Sequence, residues 1–217
     1  MEISIENSNR LLWLGRYSER VYTTLKFFAD QFDAMIDGGK ELYGGYTSRG
    51  DFAKKYCFDE SNSSSVSFGL MRAYDNAIEL RREIGSDAFS YIQMAVYEMS
   101  QAEKSEAPLL ALQKVVDDIA AFWGIADDAI DDEKIRSIIK LGKRLERVDL
   151  YARLKAPDGL IRREILRLSS RLPKTGLKYH SEPLEKLLEL ANEEKINHQA
   201  VINEAEKILD TSIDRKL

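Results

Sequence analysis

Cysteine is almost absent from this chain. Cys57 stands alone among 217 residues, which excludes an internal disulfide and any cysteine-rich metal site. Histidine is nearly as scarce: His180 and His198 are the only two, and neither has a partner at a catalytic or ligand spacing, so no histidine-based metal centre is expected. The 4 prolines spare the long apolar-periodic segments. No apolar run approaches the ~20 residues of a bilayer span, and the N-terminal MEISIENSNR lacks the charged-then-apolar layout of a signal peptide. The expectation is a cytoplasmic protein that makes no use of a membrane. A formal net charge of −5 with 32% charged residues argues against a nucleic-acid binder, leaving room only for a local basic patch. Strand-like alternation is missing, and so is any cofactor signature.

What remains is helix, nearly everywhere. Leu14, Tyr17, Val21, Leu25, Phe28, Phe32 and Met35 recur at spacings of three and four, which predicts one long helix over about Asn7–Asp37, stopped by Gly38 and Gly39. Residues 38–50 read as a loop, with Tyr43, Tyr46 and Arg49 available to a partner, and Asp51–Phe58 as a short helix. Further helices are predicted over Ser65–Ile84, from Ser86 along Phe89, Ile92, Val96 and Met99, from Ser105 and Pro108 to about Gly124, and from an Asp131 or Asp132 cap to about Lys155. After a turn at Pro157-Asp158-Gly159 come Leu160–Leu172, a loop over 173–183, and a terminal pair at Glu182–Lys195 and Gln199–Leu209. The expected architecture is all-α: an antiparallel helical bundle with a long N-terminal helix. The length suits a single domain, with residues 173–217 a polar helical extension whose docking the pattern does not fix.

One octet occurs twice. Leu14–Val21 reads LGRYSERV and Leu141–Val148 reads LGKRLERV, an offset of 127 positions (141 − 14). On a helical projection Glu146 aligns with Ile135, Ile139, Gly142 and Leu150, and Glu19 with Leu12, Gly15 and Tyr22. Each copy therefore sets a carboxylate in an apolar stripe, where a charge needs a partner or a task. Gly15 and Gly142 precede their glutamates by four residues on the same face. A mid-helix glycine costs about 1 kcal/mol against alanine, and the return expected is close approach of another backbone or a ligand. Arg16 and Arg20 flank one glutamate, Lys143 and Arg147 the other. The two helices can meet about an approximate twofold axis, each glutamate facing the other helix's cations. Two readings follow. The cluster is a buried ion-pair network that fixes helix register, which is the commoner case, or a pocket for an anionic or carboxamide ligand with Glu19 or Glu146 as a base.

At these residues the chain resembles the bacterial alpha-E family, an all-helical domain named for a recurrent E-R motif. NRLLWLGRYSERVYTTLKFF (residues 9–28) is similar to the family's N-terminal signature, and IIKLGKRLERVDLYARL (138–154) to its second motif. Between them, RAYDNAIELRREIGSDAF (72–89) puts Arg72, Asn76 and Arg81 on the family's polar positions, with Asp87 in place of the usual glutamate. Lys143 replaces an arginine of the pattern, and an ammonium cannot make a guanidinium's bidentate fork. Many members also continue with further helices. The resemblance implies association with a circularly permuted ATP-grasp protein and a transglutaminase-like peptidase, in machinery for peptide ligation or tagging. On that footing the chain reads as a helical accessory protein, with Arg72, Asn76 and Arg81 joining Arg16, Glu19, Arg20, Lys143, Glu146 and Arg147 in one cluster. The alternative is an enzyme of the same system, its base Glu19 or Glu146 and its arginines holding an anionic substrate.

One further motif is weighed. Asp127, Asp128 and Asp131 form D-D-x-x-D, which in all-α prenyl-transferring enzymes holds magnesium and diphosphate. No second aspartate-rich segment exists here, and acids before a helix are favoured by its dipole, so capping is the preferred reading. Trp13 and Trp123 read as core or interface anchors.

Overall fold

The computed structural model of the chain describes residues 3–38 and 53–209, and of residues 30–38, 53 and 54 the backbone alone. The architecture is the expected antiparallel helical bundle. Its helices are α1 (Ile5–Gly38), α2 (Val66–Glu79), α3 (Arg81–Glu103), α4 (Pro108–Ala129), α5 (Glu133–Arg153), α6 (Asp158–Arg171), α7 (Ser181–Asn192) and α8 (His198–Ala205). A π-helical turn at Ala53–Cys57 and a 3-10 turn at Leu172–Thr175 complete the described elements.

Two helices organise the rest. α1, with 34 residues, is about 50 Å long at ~1.5 Å per residue. It packs against α2, α4 and α5. α5 packs against α1 on one side and against α6 and α8 on others, while α3 and α4 form a closely packed hairpin. Leu11, Leu14, Val21, Ile92, Ile119, Phe122, Ile138 and Val148 are all fully buried between these helices. The polar C-terminal helices dock on the same core: Leu187, Ile196, Val201 and Ile208 belong to its cluster of buried side chains.

Local chemistry sets the boundaries. The Ser65 hydroxyl accepts from Phe68 N and caps α2. Pro108 occupies the first turn of α4, where its missing N–H costs nothing. The Asp132 carboxylate accepts from Lys134 N at 2.8 Å and Ile135 N at 3.2 Å, so Asp132 is the cap of α5.

Several boundaries differ from expectation. The helix expected over Ser65–Ile84 closes at Leu80, and α3 begins at once; Gly85, at φ +80°, is a kink inside α3. Gly124 does not stop α4, which runs on to Ala129, because a glycine in a well-packed helix forfeits only about 1 kcal/mol. The turn expected at Pro157-Asp158-Gly159 is the first turn of α6: Pro157 is its N-cap, and Leu160 N donates to the Pro157 carbonyl at 2.8 Å. Gly38, expected to begin a loop over 38–50, is the last residue of α1; the rest of that loop, with Tyr43, Tyr46 and Arg49, and the side chains of Phe32 and Met35 lie outside the described residues.

Candidate functional site

The duplicated octets meet where α1 crosses α5, and glycine makes the crossing possible. A Cβ on Gly15 would overlap the carbonyl oxygen of Ile139 and lie 3.2 Å from Lys143 N. A Cβ on Gly142 would overlap the carbonyl oxygen of Leu12 and lie 3.0 Å from Arg16 N. The contacts interchange under the 127-position offset: Leu12 corresponds to Ile139, Gly15 to Gly142 and Arg16 to Lys143. This is an approximate twofold axis through two backbones in contact.

The charges obey the same symmetry. Arg16 Nε donates to Glu146 Oε2 at 2.8 Å and Arg20 Nε to Glu146 Oε1 at 2.6 Å. Across the axis, Arg147 Nε donates to Glu19 Oε1, and Lys143 Nζ lies 3.8 Å from Glu19 Oε2. The pairs run across the crossing, and none of these joins a cation to the glutamate of its own helix. Both glutamate side chains are 0% exposed. Aromatic rings back the equivalent leading cations from different positions: the Arg16 guanidinium sits 4.6 Å from the Trp13 ring centroid, and Lys143 Nζ 3.9 Å from that of Trp123.

The electrostatics follow from burial and pairing. Burial opposes the charge on Glu146, but Arg16 and Arg20 outweigh it and hold the carboxyl below its ordinary range. Arg20 and Arg147 are likewise desolvated, yet the facing glutamates raise both above the ordinary arginine value. Lys143 goes the other way. Burial pushes it down to about 8; Glu19 resists, while Arg147 and Arg144 add to the fall. Tyr17 and Tyr151, on opposite sides of the crossing, are both raised, chiefly by burial.

Sequence reasoning missed one member. Glu164 of α6, 0% exposed, receives Arg144 Nη1 at 2.6 Å and Arg167 Nη1 at 2.8 Å, with Arg147 Nη1 at 3.9 Å. It extends the Glu19 half of the network onto α6. The signal was present: Glu164 shares its helix face with Ile161, Ile165 and Leu168, all fully buried.

The third motif sits apart from the crossing. Arg72 pairs with Asp75 at 3.4 Å and stacks on Phe68; only its field reaches Tyr17 at the cluster's rim. Asn76 donates to the carbonyl of Arg72, and Arg81 stacks on Phe89. No described hydrogen bond or ion pair joins these residues to Glu19 or Glu146.

The aspartate run is divided between elements. Asp127 lies in the last turns of α4 and pairs with Lys140, Asp132 caps α5, and Asp131 is between them. Among the described residues no group of three or more His, Cys, Asp or Glu could hold a metal ion. His198 does have a partner: Nε2 lies 3.2 Å from Asp158 Oδ1, while Asp158 Oδ2 accepts from Ile196 N. The fold, and not sequence spacing, brings these two together, tying the approach to α8 onto the start of α6. Cys57 is buried, and burial alone pushes its thiol up to about 12, away from nucleophilic use. No helix among the described residues is long and apolar enough to cross a membrane.

Residues 7–156 match the alpha-E family, described as a predicted alpha-helical domain with a conserved ER motif. The match covers more than half of the chain, and the chain belongs to that family. The two E-R dipeptides of the crossing, Glu19-Arg20 and Glu146-Arg147, both lie within it. No curated protein and no solved structure matches the chain.

Proposed function

From membership of the alpha-E family, we propose that this chain is a non-catalytic helical binding component of a peptide-ligation or peptide-tagging system, working beside a circularly permuted ATP-grasp protein and a transglutaminase-like peptidase. One observation carries the non-catalytic part. Both motif glutamates are sealed at the α1–α5 crossing and held by cations from the opposite helix. A general base must bring a lone pair within hydrogen-bond reach of a substrate proton. Glu146 has a guanidinium on each oxygen and a depressed pKa, which makes it a weak base. The E-R motif then serves as a register lock. It holds α1 and α5 in one relative position and so fixes the surfaces that α2, α6 and α8 present.

Co-expression with the permuted ATP-grasp protein tests the partner. The expected result is a complex that co-elutes on size exclusion and dissociates when the crossing is broken by Gly15→Leu. Failure of the intact chain to co-elute, with no effect of its removal on product formation, would overturn the reading. For the lock, Glu146→Gln should lower stability and reconstituted activity together. Full stability with abolished activity would restore the catalytic alternative.

A further inference from the structure

The network carries one more cation than carboxylate on one side of the crossing and three more on the other. Around Glu146 lie Arg16 and Arg20, and the nearby Arg72 has Asp75 of its own. Around Glu19 and Glu164 lie Lys143, Arg144, Arg147, Arg163 and Arg167. Five cations face two carboxylates there; at the α5–α6 contact itself Arg144, Arg163 and Arg167 surround the single carboxylate of Glu164, a surplus of two, while Lys143 and Arg147 sit chiefly against Glu19. Asp127, the next carboxylate felt by Lys143, is itself paired with Lys140.

The hydrogen-bond inventory shows the same surplus. Glu164 is fully engaged by Arg144 and Arg167. Arg163 Nε stands 3.6 Å from Glu164 Oε1, beyond hydrogen-bond reach, and makes no described hydrogen bond. Arg163 and Arg167 follow each other by four residues on α6, with side chains 51% and 47% exposed. Their free N–H edges are accessible to an incoming group, above a buried carboxylate that already anchors Arg144 and Arg167.

We propose that the exposed end of the α5–α6 contact, formed by Arg163 and Arg167 over Arg144 and Glu164, is a binding site for a phosphoryl dianion. Guanidinium forks match phosphoryl oxygens in pairs, and a doubly charged group suits the surplus better than one carboxylate. On the flanks of the site Arg162 is turned onto the carbonyls of Glu193 and Glu194, and Leu166 is exposed. A short basic patch on a chain of net charge −5 fits a single phosphoryl group and not an extended polyanion. The site goes beyond the accessory role proposed above, and neither depends on the other.

The test is titration with inorganic phosphate, followed by calorimetry and 31P line broadening at ionic strength held constant with chloride. Phosphoserine and acetate serve as comparison ligands. Saturable phosphate binding at millimolar or lower concentration is expected. Arg163→Gln should weaken it severalfold with no change in melting temperature, because that side chain makes no hydrogen bond to lose. Arg163→Gln with Arg167→Gln should weaken it at least tenfold. Tighter binding of phosphoserine than of phosphate would assign the phosphoryl group to a modified side chain or amino acid, and the reverse to a free or small-molecule phosphate. Absence of saturable binding, equal binding of acetate, or phosphate binding indifferent to both substitutions would overturn the proposal.

Discussion

The two halves of the α1–α5 crossing share a backbone geometry and differ in chemistry. On one half, Glu146 is gripped by two guanidiniums, one on each oxygen. On the other, Arg147 and the Thr23 hydroxyl both donate to Glu19 Oε1, and Oε2, with Lys143 only at 3.8 Å, accepts no described hydrogen bond. Among the four motif cations one substitution relative to the twofold pattern, lysine for arginine at position 143, separates them. A point charge in place of a planar fork leaves one carboxylate oxygen buried with Coulomb attraction alone. The backbone contact at Gly15 and Gly142 is unaffected, so the symmetric part of the crossing is steric and the asymmetric part is electrostatic.

Breaking the symmetric part should have the largest effect. Gly15→Ala and Gly142→Ala each place a methyl into a backbone carbonyl of the facing helix. A carbonyl in a helix cannot rotate away as a side chain can, so the helices must separate and the four ion pairs stretch. The expected loss exceeds the ~1–3 kcal/mol of ordinary overpacking, despite ~1 kcal/mol of improved helix propensity. Equal losses for the two variants on chemical denaturation would confirm the twofold. Tolerance of either would mean the helices do not touch there.

Next come the glutamates, which should not be equivalent. Glu146→Gln leaves a guanidinium facing an amide NH2 in a site 0% exposed. The expected cost is about 3–5 kcal/mol, the range for breaking a buried pair. Glu19→Gln can turn its amide nitrogen to the side where Oε2 has no donor, and should cost less, roughly 1–3 kcal/mol. Acid adds a second readout. The Glu146 pKa lies below its ordinary 4.5, so its contribution is present above pH 4.5 and is lost as pH falls through the folded-state value. Glu146→Gln should flatten that limb of the wild-type stability curve.

Lys143 supplies an effect at the other end of the pH scale. Its pKa falls from 10.5 to about 8 in the folded chain. Below pH 8 both states are protonated, and the cost of burying the ammonium is fully present. Between about 8 and 10.5 the folded state sheds its proton first, so stability rises with pH. At ~1.4 kcal/mol per unit the rise is about 3 kcal/mol. Tyr17 and Tyr151, raised above 10, work the opposite way only at the top of this window, and they cancel in the difference between wild type and Lys143→Met. Lys143→Arg should abolish the rise and bring the Glu19 half toward its twin. A wild-type curve flat between pH 8 and 10 would show that Lys143 is solvated.

The crossing was legible in the sequence because three signals coincide on one helix face: a glycine, a glutamate in an apolar stripe, and cations at spacings of one and three from it. Periodicity likewise located the bundle's helices, and the two E-R motifs meet at the α1–α5 crossing. What the pattern concealed depends on tertiary partners. Glu164 carries the same stripe signal but lies in a segment rich in arginine, where a glutamate reads as a local i,i+3 partner. Arg72, Asn76 and Arg81 share motif status with the octets, yet a neighbouring acid, a backbone carbonyl and an aromatic ring satisfy them locally. The break at Leu80 has no glycine or proline to announce it, and Gly124 announces one that helix packing overrides.

The smallest predicted effect concerns Thr23, whose counterpart across the axis is Leu150 (23 + 127). Thr23 donates to Glu19 Oε1 at 2.7 Å from four residues away on the same helix. Glu146 has no such hydroxyl and needs none, because each of its oxygens already has a guanidinium. If Thr23 compensates for the missing fork at position 143, its worth depends on what stands there. Thr23→Val should cost about 1 kcal/mol in the natural chain, the net value of one hydrogen bond plus part of an orphaned acceptor. In a Lys143→Arg background the cost should fall by half or more, and Leu150→Thr should gain nothing. A double-mutant cycle on unfolding midpoints reads this coupling directly. A Thr23→Val cost that is the same in both backgrounds would mean that the hydroxyl serves only its own helix, and that the asymmetry of the two halves ends at Lys143.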